Sequence, residues 1–341
     1  MSATLALEIA ETTDVADARR RAVAMAMRIG FDETESSAVA IVVTEMATNL
    51  VKHAVRGTVL VRILDAGEIQ GIEVVAVDKG PGIADVALAM VDGASTAGTA
   101  GNGLGAIARM SAVFDAYSLP SKGTVLVAQI WPRQREPRTR VTTPNALTRV
   151  EYSGLCVPYP GEECCGDDWG IVERDGQVRI VIADGLGHGP LASEASARAR
   201  EVGCTSRQGI VATLEDVHAA LRATRGAAVA IADLDLDRGV IRYGGVGNTS
   251  GVVYAEQRSF NLVSVNGTAG HTSRRLQEFT YPWSHDSALV LYTDGLTSHC
   301  PIEKYAGLAP KHPSIIAGVM YRDCRRGRDD TTAVVVKEAA A

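Results

Sequence analysis

Aspartates beside glycines recur through the second half of this sequence. They are Gly166-Asp167-Asp168, Ala183-Asp184-Gly185-Leu186-Gly187-His188-Gly189, Tyr292-Thr293-Asp294-Gly295 and Arg328-Asp329-Asp330-Thr331-Thr332. Three of these groups adjoin apolar, strand-like runs at 178–183, 289–292 and 333–336. Carboxylates gathered at strand ends around one crevice make an all-oxygen ligand set, which hard divalent ions such as Mg2+ or Mn2+ prefer. Two such ions can bridge a hydroxide and clamp a phosphate in line. Any one Asp-Gly pair is more simply a hairpin turn, but four placed in this way favour a metal site. His188 stays open between a phosphate contact or acid and a turn residue among glycines.

The first half carries three different clusters. Glu45, Asn49 and His53 are spaced four apart, so a regular helix presents them on one side. A carboxylate and an amide there suit hydroxyl activation and Mg2+ ligation, although an ordinary polar helix face would look the same. Asp78-Lys79-Gly80-Pro81-Gly82-Ile83 follows an apolar run at 72–77. A carboxylate at a strand end can accept from an exocyclic amine such as that of adenine, and the glycines let backbone approach a ligand; a simple turn has the same composition. Gly101-Asn102-Gly103-Leu104-Gly105 leads into a helical segment. Amide donors and a positive dipole end at a helix start suit phosphate. The cluster lacks the Gly-Lys-Ser/Thr of a Walker A loop.

The elements that must position these residues follow from periodicity. The spacing predicts helices over 14–29, 35–55 and 107–112, and strands over 58–64, 72–77 and 124–130, with a hairpin turn at Asp65-Ala66-Gly67. Strands are expected over 170–173, 178–183, 227–233, 240–244, 251–253 and 288–292, and helices over 191–200 and 214–222. The proline-broken, basic stretch Trp131-Pro132-Arg133-Gln134-Arg135-Glu136-Pro137-Arg138 reads as a linker. The expected organisation is a first domain over 1–132, a linker over 133–149 and a second domain over 150–341, in an α+β fold class.

With 46% hydrophobic and 22% charged residues, the composition is that of a globular chain. A net charge of −6 gives no electrostatic reason to expect nucleic acid or an anionic membrane as partner. No apolar run reaches the ~20 residues of a membrane-spanning helix. No basic segment leads into an apolar one at the start, so neither a signal peptide nor a membrane location is expected, and the cytoplasm is the expected compartment. The six cysteines contain no C-x-x-C pair and are expected to be free thiols.

In their joint order the three N-terminal clusters resemble the GHKL ATPase fold, and within it the RsbT serine kinases, over about residues 4–130. Asp92-Gly93-Ala94-Ser95-Thr96 and Ser121-Lys122-Gly123-Thr124 extend the match. The resemblance implies Glu45 as the general base toward a substrate serine and Asn49 as an Mg2+ ligand. It implies that Asp78, with Gly80, Gly82 and Thr124, holds the adenine of ATP, and that Gly101, Gly103, Leu104 and Gly105 wrap the phosphates. The second half, over about 150–337, resembles the SpoIIE/RsbX branch of the metal-dependent (PPM) protein phosphatases. That resemblance implies an αββα sandwich following the GHKL α/β sandwich. It also implies a site of two Mg2+ or Mn2+ ions in which Asp184 bridges, Gly185 contributes its carbonyl, and Asp167, Asp294 and Asp329 complete the shell. Larger members carry a further Asp where this chain has Gly170. Together the resemblances imply a kinase and a phosphatase acting on serine of a STAS-domain partner in partner-switching stress signalling, with a homodimer as the implied assembly. The alternative is an N-terminal module that senses ATP or sequesters a regulator and gates the phosphatase.

Overall fold

The computed structural model describes residues 3–54, 56–67, 69–90, 103–133, 149–255, 258–273, 275–297 and 300–339. The chain forms two compact units. One is Ser2–Ala146 together with Pro310–Arg322, and the other is Leu147–Ala309 together with Asp323–Ala341. Gly101 and residues 134–148 of the expected linker lie outside the described residues.

The N-terminal unit runs β1 (Leu5–Ile9), α1 (Thr12–Arg28), α2 (Glu33–Asn49), a π-turn (Leu50–Ala54), β2 (Gly57–Asp65), β3 (Gln70–Asp78), α3 (Val86–Ala89), α4 (Gly103–Met110), β4 (Val113–Leu119) and β5 (Gly123–Ile130). The five strands form one antiparallel sheet in the order β1-β2-β3-β5-β4. Helix starts are fixed by reciprocal side-chain caps: Glu11 with Asp14 on α1, and Asp32 with Glu35 on α2. Alternate strand residues Ile72, Val74, Ala76, Leu126, Ala128 and Ile130 pack against Ala18, Ala22, Val39, Val43 and Met46 of α1 and α2. The long helix expected over 35–55 is regular only as far as Asn49. The π-turn then breaks the 3.6-residue repeat, so His53 no longer shares a face with Glu45 and Asn49 by spacing alone.

The C-terminal unit contains β6 (Val150–Val157), β7 (Asp167–Arg174), β8 (Gln177–Gly185), α5 (Pro190–Thr205), α6 (Ile210–Ala220), β9 (Ala227–Asp235), β10 (Val240–Val246), β11 (Ser250–Ala255), β12 (Arg258–Leu262), β13 (Gly267–Thr268), β14 (Thr272–Ser273), β15 (Phe279–Pro282) and β16 (Ala288–Tyr292). After β16 come α7 (Pro313–Cys324) and β17 (Thr331–Glu338). Two five-stranded antiparallel sheets result, β15-β10-β9-β8-β7 and β12-β11-β16-β17-β6. They meet where Gly154 on β6 leaves room for Trp169 on β7. A Cβ at residue 154 would stand 2.1 Å from the indole ring, and Tyr152 packs edge-on to the same ring at 6.1 Å. Ile210, Leu214 and Val217 of α6 pack with Ala199 of α5 against Val181, Val229 and Ile231 of the first sheet.

Helix α7 is the longest of the elements that periodicity missed. Up to Arg322 it counts with the N-terminal unit, far from it in sequence. Ile315, Ile316, Ala317, Val319, Met320 and Tyr321 are all buried, so the helix has no polar stripe by which to recognise it. Gly318 lets it approach the second face of the N-terminal sheet: a Cβ there would come within 2.8 Å of Val125 and 3.2 Å of Val75. Beside this contact Ser314 Oγ donates to Glu73 Oε2 at 2.7 Å. Glu73 is fully buried and also accepts from Arg62 Nε and Gln129 Nε2, each at 2.7 Å. Burial pushes the Glu73 carboxyl up, but the Arg62 charge and hydrogen bond, with His312 and Ser314, outweigh it and hold the group below its ordinary value. Lys311 Nζ and His312 N both reach Asp115, at 2.9 Å.

Two cysteines depart from the expected free thiols. Cys300 and Cys324 form a disulfide, their Cα atoms being 5.9 Å apart, within the range such a bridge spans. Cys156, Cys164, Cys165 and Cys204 are free. Among the described residues no helix is long and apolar enough to cross a membrane.

Removing one partner of a buried, hydrogen-bonded ion pair strands the other, at a cost of about 3–5 kcal/mol. Glu73→Gln is therefore expected to lower the thermal midpoint markedly, and the double variant Arg62→Met/Glu73→Leu to recover most of the loss. Because the Glu73 pKa is depressed, its stabilisation is present above the unfolded carboxylate range and is lost as pH falls through the folded value. Differential scanning calorimetry of the full chain tests both points; equal midpoints for Glu73→Gln and wild type would refute the assignment.

Candidate active sites

In the N-terminal unit the three sequence clusters converge. Glu45 and Asn49 are half-buried on the last turns of α2. The Glu45 carboxylate faces the start of α4, since a Cβ on Gly103 would stand 3.0 Å from Glu45 Oε2. Leu104 and Gly105 are buried in the first turn of α4, with Leu104 anchored in the core between sheet and helices. Asp78, at the end of β3, accepts from Gly80 N at 2.7 Å through Oδ1. Burial pushes its carboxyl up, against hydrogen bonds from the Gly80 and Thr124 amides and the charges of Arg322 and His53. Thr124 is the second residue of β5, with its hydroxyl 3.0 Å from Ser118 Oγ.

Tight backbone packing explains two glycines here. Gly82 has φ +78°, and a Cβ would stand 2.3 Å from the Leu119 carbonyl oxygen; Gly123 has φ +85°, and a Cβ would stand 2.0 Å from that of Asp78. The π-turn brings the His53 carbonyl and Ala54 Cα within about 3 Å of a Cβ at Gly80. A half-buried helix carboxylate, a half-buried acceptor at a strand end and a glycine-led helix start are thus held in one unit. Phosphoryl transfer needs these parts for positioning and charge stabilisation.

In the C-terminal unit Asp167 opens β7 directly across from Asp184, which ends β8. Asp167 is buried, and its Oδ2 accepts from Thr293 Oγ1 at 2.8 Å. Thr293 is in turn fixed to β17 by bonds between its amide and hydroxyl and the Thr332 main chain. Burial first, then the charge of Asp184, pushes the Asp167 carboxyl well above the ordinary range. Burial, then Asp294, Asp329 and Asp330, pushes Asp184 up to about 8. Asp294, which accepts from Asn248 Nδ2 at 2.7 Å, is raised by burial and by Asp329. Asp330, part of the sequence cluster but not placed in the expected metal shell, is buried and accepts through Oδ1 from Tyr159 N at 2.8 Å. Asp168 is used otherwise, paired to Arg200 and capping Trp169 N.

The donor set is therefore carboxylate-rich and mutually repelling, which suits a hard divalent cation. Among the described residues no three His, Cys, Asp or Glu side chains are drawn together as a ready-made cage. Mg2+ commonly retains several waters and takes only one or two carboxylates directly, which an open arrangement of this kind accommodates. His188 stands beside this loop, its Nδ1 2.7 Å from Glu162 Oε1 and its ring stacked on Tyr159 at 4.6 Å. The Cys164 thiol is pushed up by burial and by Glu162, and that of Cys165 by Cys156 and by burial, so neither is held as a thiolate. A recess of about 1020 Å³ elsewhere in this unit, lined by Val211, Glu215, His218, Arg222 and Phe279, includes none of these aspartates.

Comparison with known proteins decides what these arrangements belong to. Residues 9–130 match the family of histidine kinase-like ATPase domains, and residues 174–337 match stage II sporulation protein E (SpoIIE). The N-terminal part is 31% identical to the serine/threonine-protein kinase RsbT of Bacillus subtilis (strain 168) over 121 residues, 35% of this chain and 90% of that protein. The chain belongs to the RsbT family through its N-terminal half, fused to a SpoIIE-type phosphatase domain. The second half is 26% identical to the phosphoserine phosphatase RsbX of the same organism over 138 residues, 40% of this chain and 69% of that protein. A chain from a solved structure of the bacterial stressosome, a modular system adapted to control secondary messenger signaling, superposes on 55% of this chain and 99% of its own length. It does so at 22% identity and a TM-score of 0.52, a likeness of fold. The histidine kinase-like ATPase match spans Glu45, Asn49, Asp78 and Thr124. The SpoIIE-type match spans Asp184, Gly185, Asp294 and Asp329 and begins after Asp167.

The raised Asp184 carboxyl gives the SpoIIE-type domain a pH signature. A group whose folded pKa lies above its unfolded value stabilises the metal-free fold below the unfolded pKa, and that contribution is lost as pH rises through about 8. Mg2+ is expected to raise the thermal midpoint more at about pH 8.5 than at about pH 6, where protons compete for the same oxygens. Asp184→Asn is expected to flatten the difference. Equal Mg2+ shifts at both pH values in the wild type would contradict the site.

Proposed function

We propose that this chain both adds and removes a phosphoryl group on serine of a STAS-domain regulatory protein, in a partner-switching signalling pathway. The observation that carries the kinase half is the Glu45 carboxylate facing Gly103 at the glycine-led start of α4, in the unit that also holds Asp78 and Thr124. Glu45 takes the proton of the substrate serine as its oxygen attacks the γ-phosphorus of ATP, and the bond to the ADP oxygen breaks. Asn49 holds Mg2+, Asp78 with Gly80, Gly82 and Thr124 holds adenine, and Gly103, Leu104 and Gly105 with Gly101 line the phosphates. The SpoIIE-type half reverses the mark by water attack on the phosphoserine phosphorus; the bond from phosphorus to the serine oxygen breaks, that oxygen leaves with a proton from water, and inorganic phosphate is released. There Asp184, Asp167, Asp294, Asp329 and the Gly185 carbonyl would hold two Mg2+ or Mn2+ ions, which would neutralise the carboxylates and lower the pKa of a bound water. The names of the relatives RsbT and RsbX, a kinase and a phosphoserine phosphatase, support the pairing. Joining both activities in one chain raises the local concentration of each at a shared substrate.

The deciding measurement is mass spectrometry of a STAS-domain protein incubated with the chain and Mg-ATP, then desalted and returned to fresh chain with Mn2+ alone. A gain of about 80 Da, as one phosphoryl group requires, is expected in the first step and its loss in the second. Glu45→Ala is expected to abolish the gain and Asp184→Ala the loss. No gain with wild-type protein would sink the kinase half of the reading.

One observation favours a second reading, in which the N-terminal unit senses ATP and gates the phosphatase. Helix α7 counts with that unit and its Arg322 Nη1 lies 3.4 Å from the Asp78 carbonyl oxygen, yet in the chain it falls between Asp294 and Asp329. This reading expects phosphatase turnover to change several-fold on adding a non-hydrolysable ATP analogue, and Asp78→Asn to erase the change. Identical rates with and without the analogue would remove it.

A further inference from the structure

The turn before β9 presents an arginine to the metal-site loop. The β8–β9 register pairs Asp184 with Ala228 and Gly185 with Ala227, and Leu186 N donates to the Gly226 carbonyl at 3.0 Å. The next residues outward are Gly187 and Arg225. Gly187 has φ +87°, and a Cβ on it would stand 3.2 Å from Arg225 Nη1, so the guanidinium lies over this glycine. The main chain of the turn is braced. Gly226 N donates to Thr224 Oγ1 at 3.0 Å, that hydroxyl donates to the Leu221 carbonyl at 2.8 Å, and His271 Nε2 donates to the Arg225 carbonyl at 3.0 Å. The side chain is nevertheless exposed, and among the described residues its guanidinium forms no ion pair. Arg326 differs: its charge bears on Asp294 and lowers that carboxyl against burial.

Resting on the phosphatase reading proposed above, we infer that Arg225 of the SpoIIE-type domain contacts the phosphate of the phosphoserine substrate. Around Asp184 the protein itself offers carboxylates, which repel a phosphate dianion. Cations at the carboxylates can neutralise only the oxygens turned toward them, and the outer oxygens need donors from elsewhere. A guanidinium supplies a planar fork that matches two phosphate oxygens, and here the main chain that carries it is held by hydrogen bonds. Gly187 has no side chain to lie between that fork and the metal-site loop. His188, anchored to Glu162 and stacked on Tyr159, stands one residue further along the same loop.

The test uses full-length protein loaded with Mn2+, as wild type, Arg225→Ala and Arg225→Lys. Inorganic phosphate is the probe, bound in isothermal titration calorimetry and used as a competitive inhibitor of p-nitrophenyl phosphate hydrolysis. A lost charge-assisted hydrogen bond costs about 1.5–3 kcal/mol, so Arg225→Ala is expected to weaken phosphate binding about 10- to 100-fold and to raise KM for a phosphoserine peptide similarly. Arg225→Lys, a point charge without the fork, is expected to fall between the two. Mn2+ affinity, measured by separate titration, is expected to stay within about twofold, as is the thermal midpoint expected of an exposed substitution. Phosphate affinity unchanged in Arg225→Ala overturns the inference. So does a fall in Mn2+ affinity large enough to account for the phosphate effect, which would make Arg225 a support of the loop.

Discussion

Carboxylate repulsion in a poorly solvated place is the constraint around which the C-terminal unit is organised. Asp167 and Asp184 sit directly opposite each other on neighbouring strands, with Asp294, Asp329 and Asp330 acting on the same pair. Two like charges a few ångströms apart repel by roughly 4 kcal/mol at an effective dielectric near 20. The backbone cannot relax away from this. The strand register is set along the whole length of β7 and β8, Trp169 is wedged against Gly154, and Thr293 ties Asp167 to the neighbouring sheet. Burial and the neighbouring carboxylates push the carboxyls of Asp167, Asp184, Asp294 and Asp330 up, which favours their protonated forms when no cation is bound. The sandwich therefore supplies rigidity, and it gathers at its strand ends the negative charge that a divalent cation would neutralise.

The N-terminal unit treats a buried charge in the opposite way. Glu73 is as buried as any aspartate of the other unit, yet Arg62, Gln129 and Ser314 occupy its oxygens, and its pKa falls. A carboxylate satisfied on every side is structural and selects the one helix that completes it. The acidic group that stays incompletely matched in this unit is Asp78, raised by burial despite the amides around it. Net pKa direction thus separates structural acids from candidate site acids better than burial does.

Several elements were legible from pattern alone. Period-2 runs marked β2, β3, β5, β8, β9 and β16, and apolar residues at helical spacing marked α1, α2, α5 and α6, with boundaries moved by a few residues. Strands β4 and β6 were not, since Val113–Leu119 and Val150–Val157 mix polar and apolar residues without clean alternation. Helix α7 was invisible because a helix buried all round carries no amphipathic stripe. The break at Leu50–Ala54 was hidden because no glycine or proline marks a π-turn there.

The sequence by itself determined the chemistry: which residue types stand in which order, two glycine-flanked clusters near a helix carboxylate, and aspartates at the ends of apolar runs. That order was enough to reach both families, because short motifs with fixed spacing demand local backbone geometry that the chain can meet alone. Only the tertiary structure decided which carboxylates face each other, that Asp168 is given to Arg200 while Asp330 joins the acidic group, and that Arg225 meets Gly187. It alone also counted residues 310–322 with the N-terminal unit and paired Cys300 with Cys324. These are contacts between segments tens to hundreds of residues apart. They depend on strand register and on which faces remain to be covered, and neither is written in local spacing.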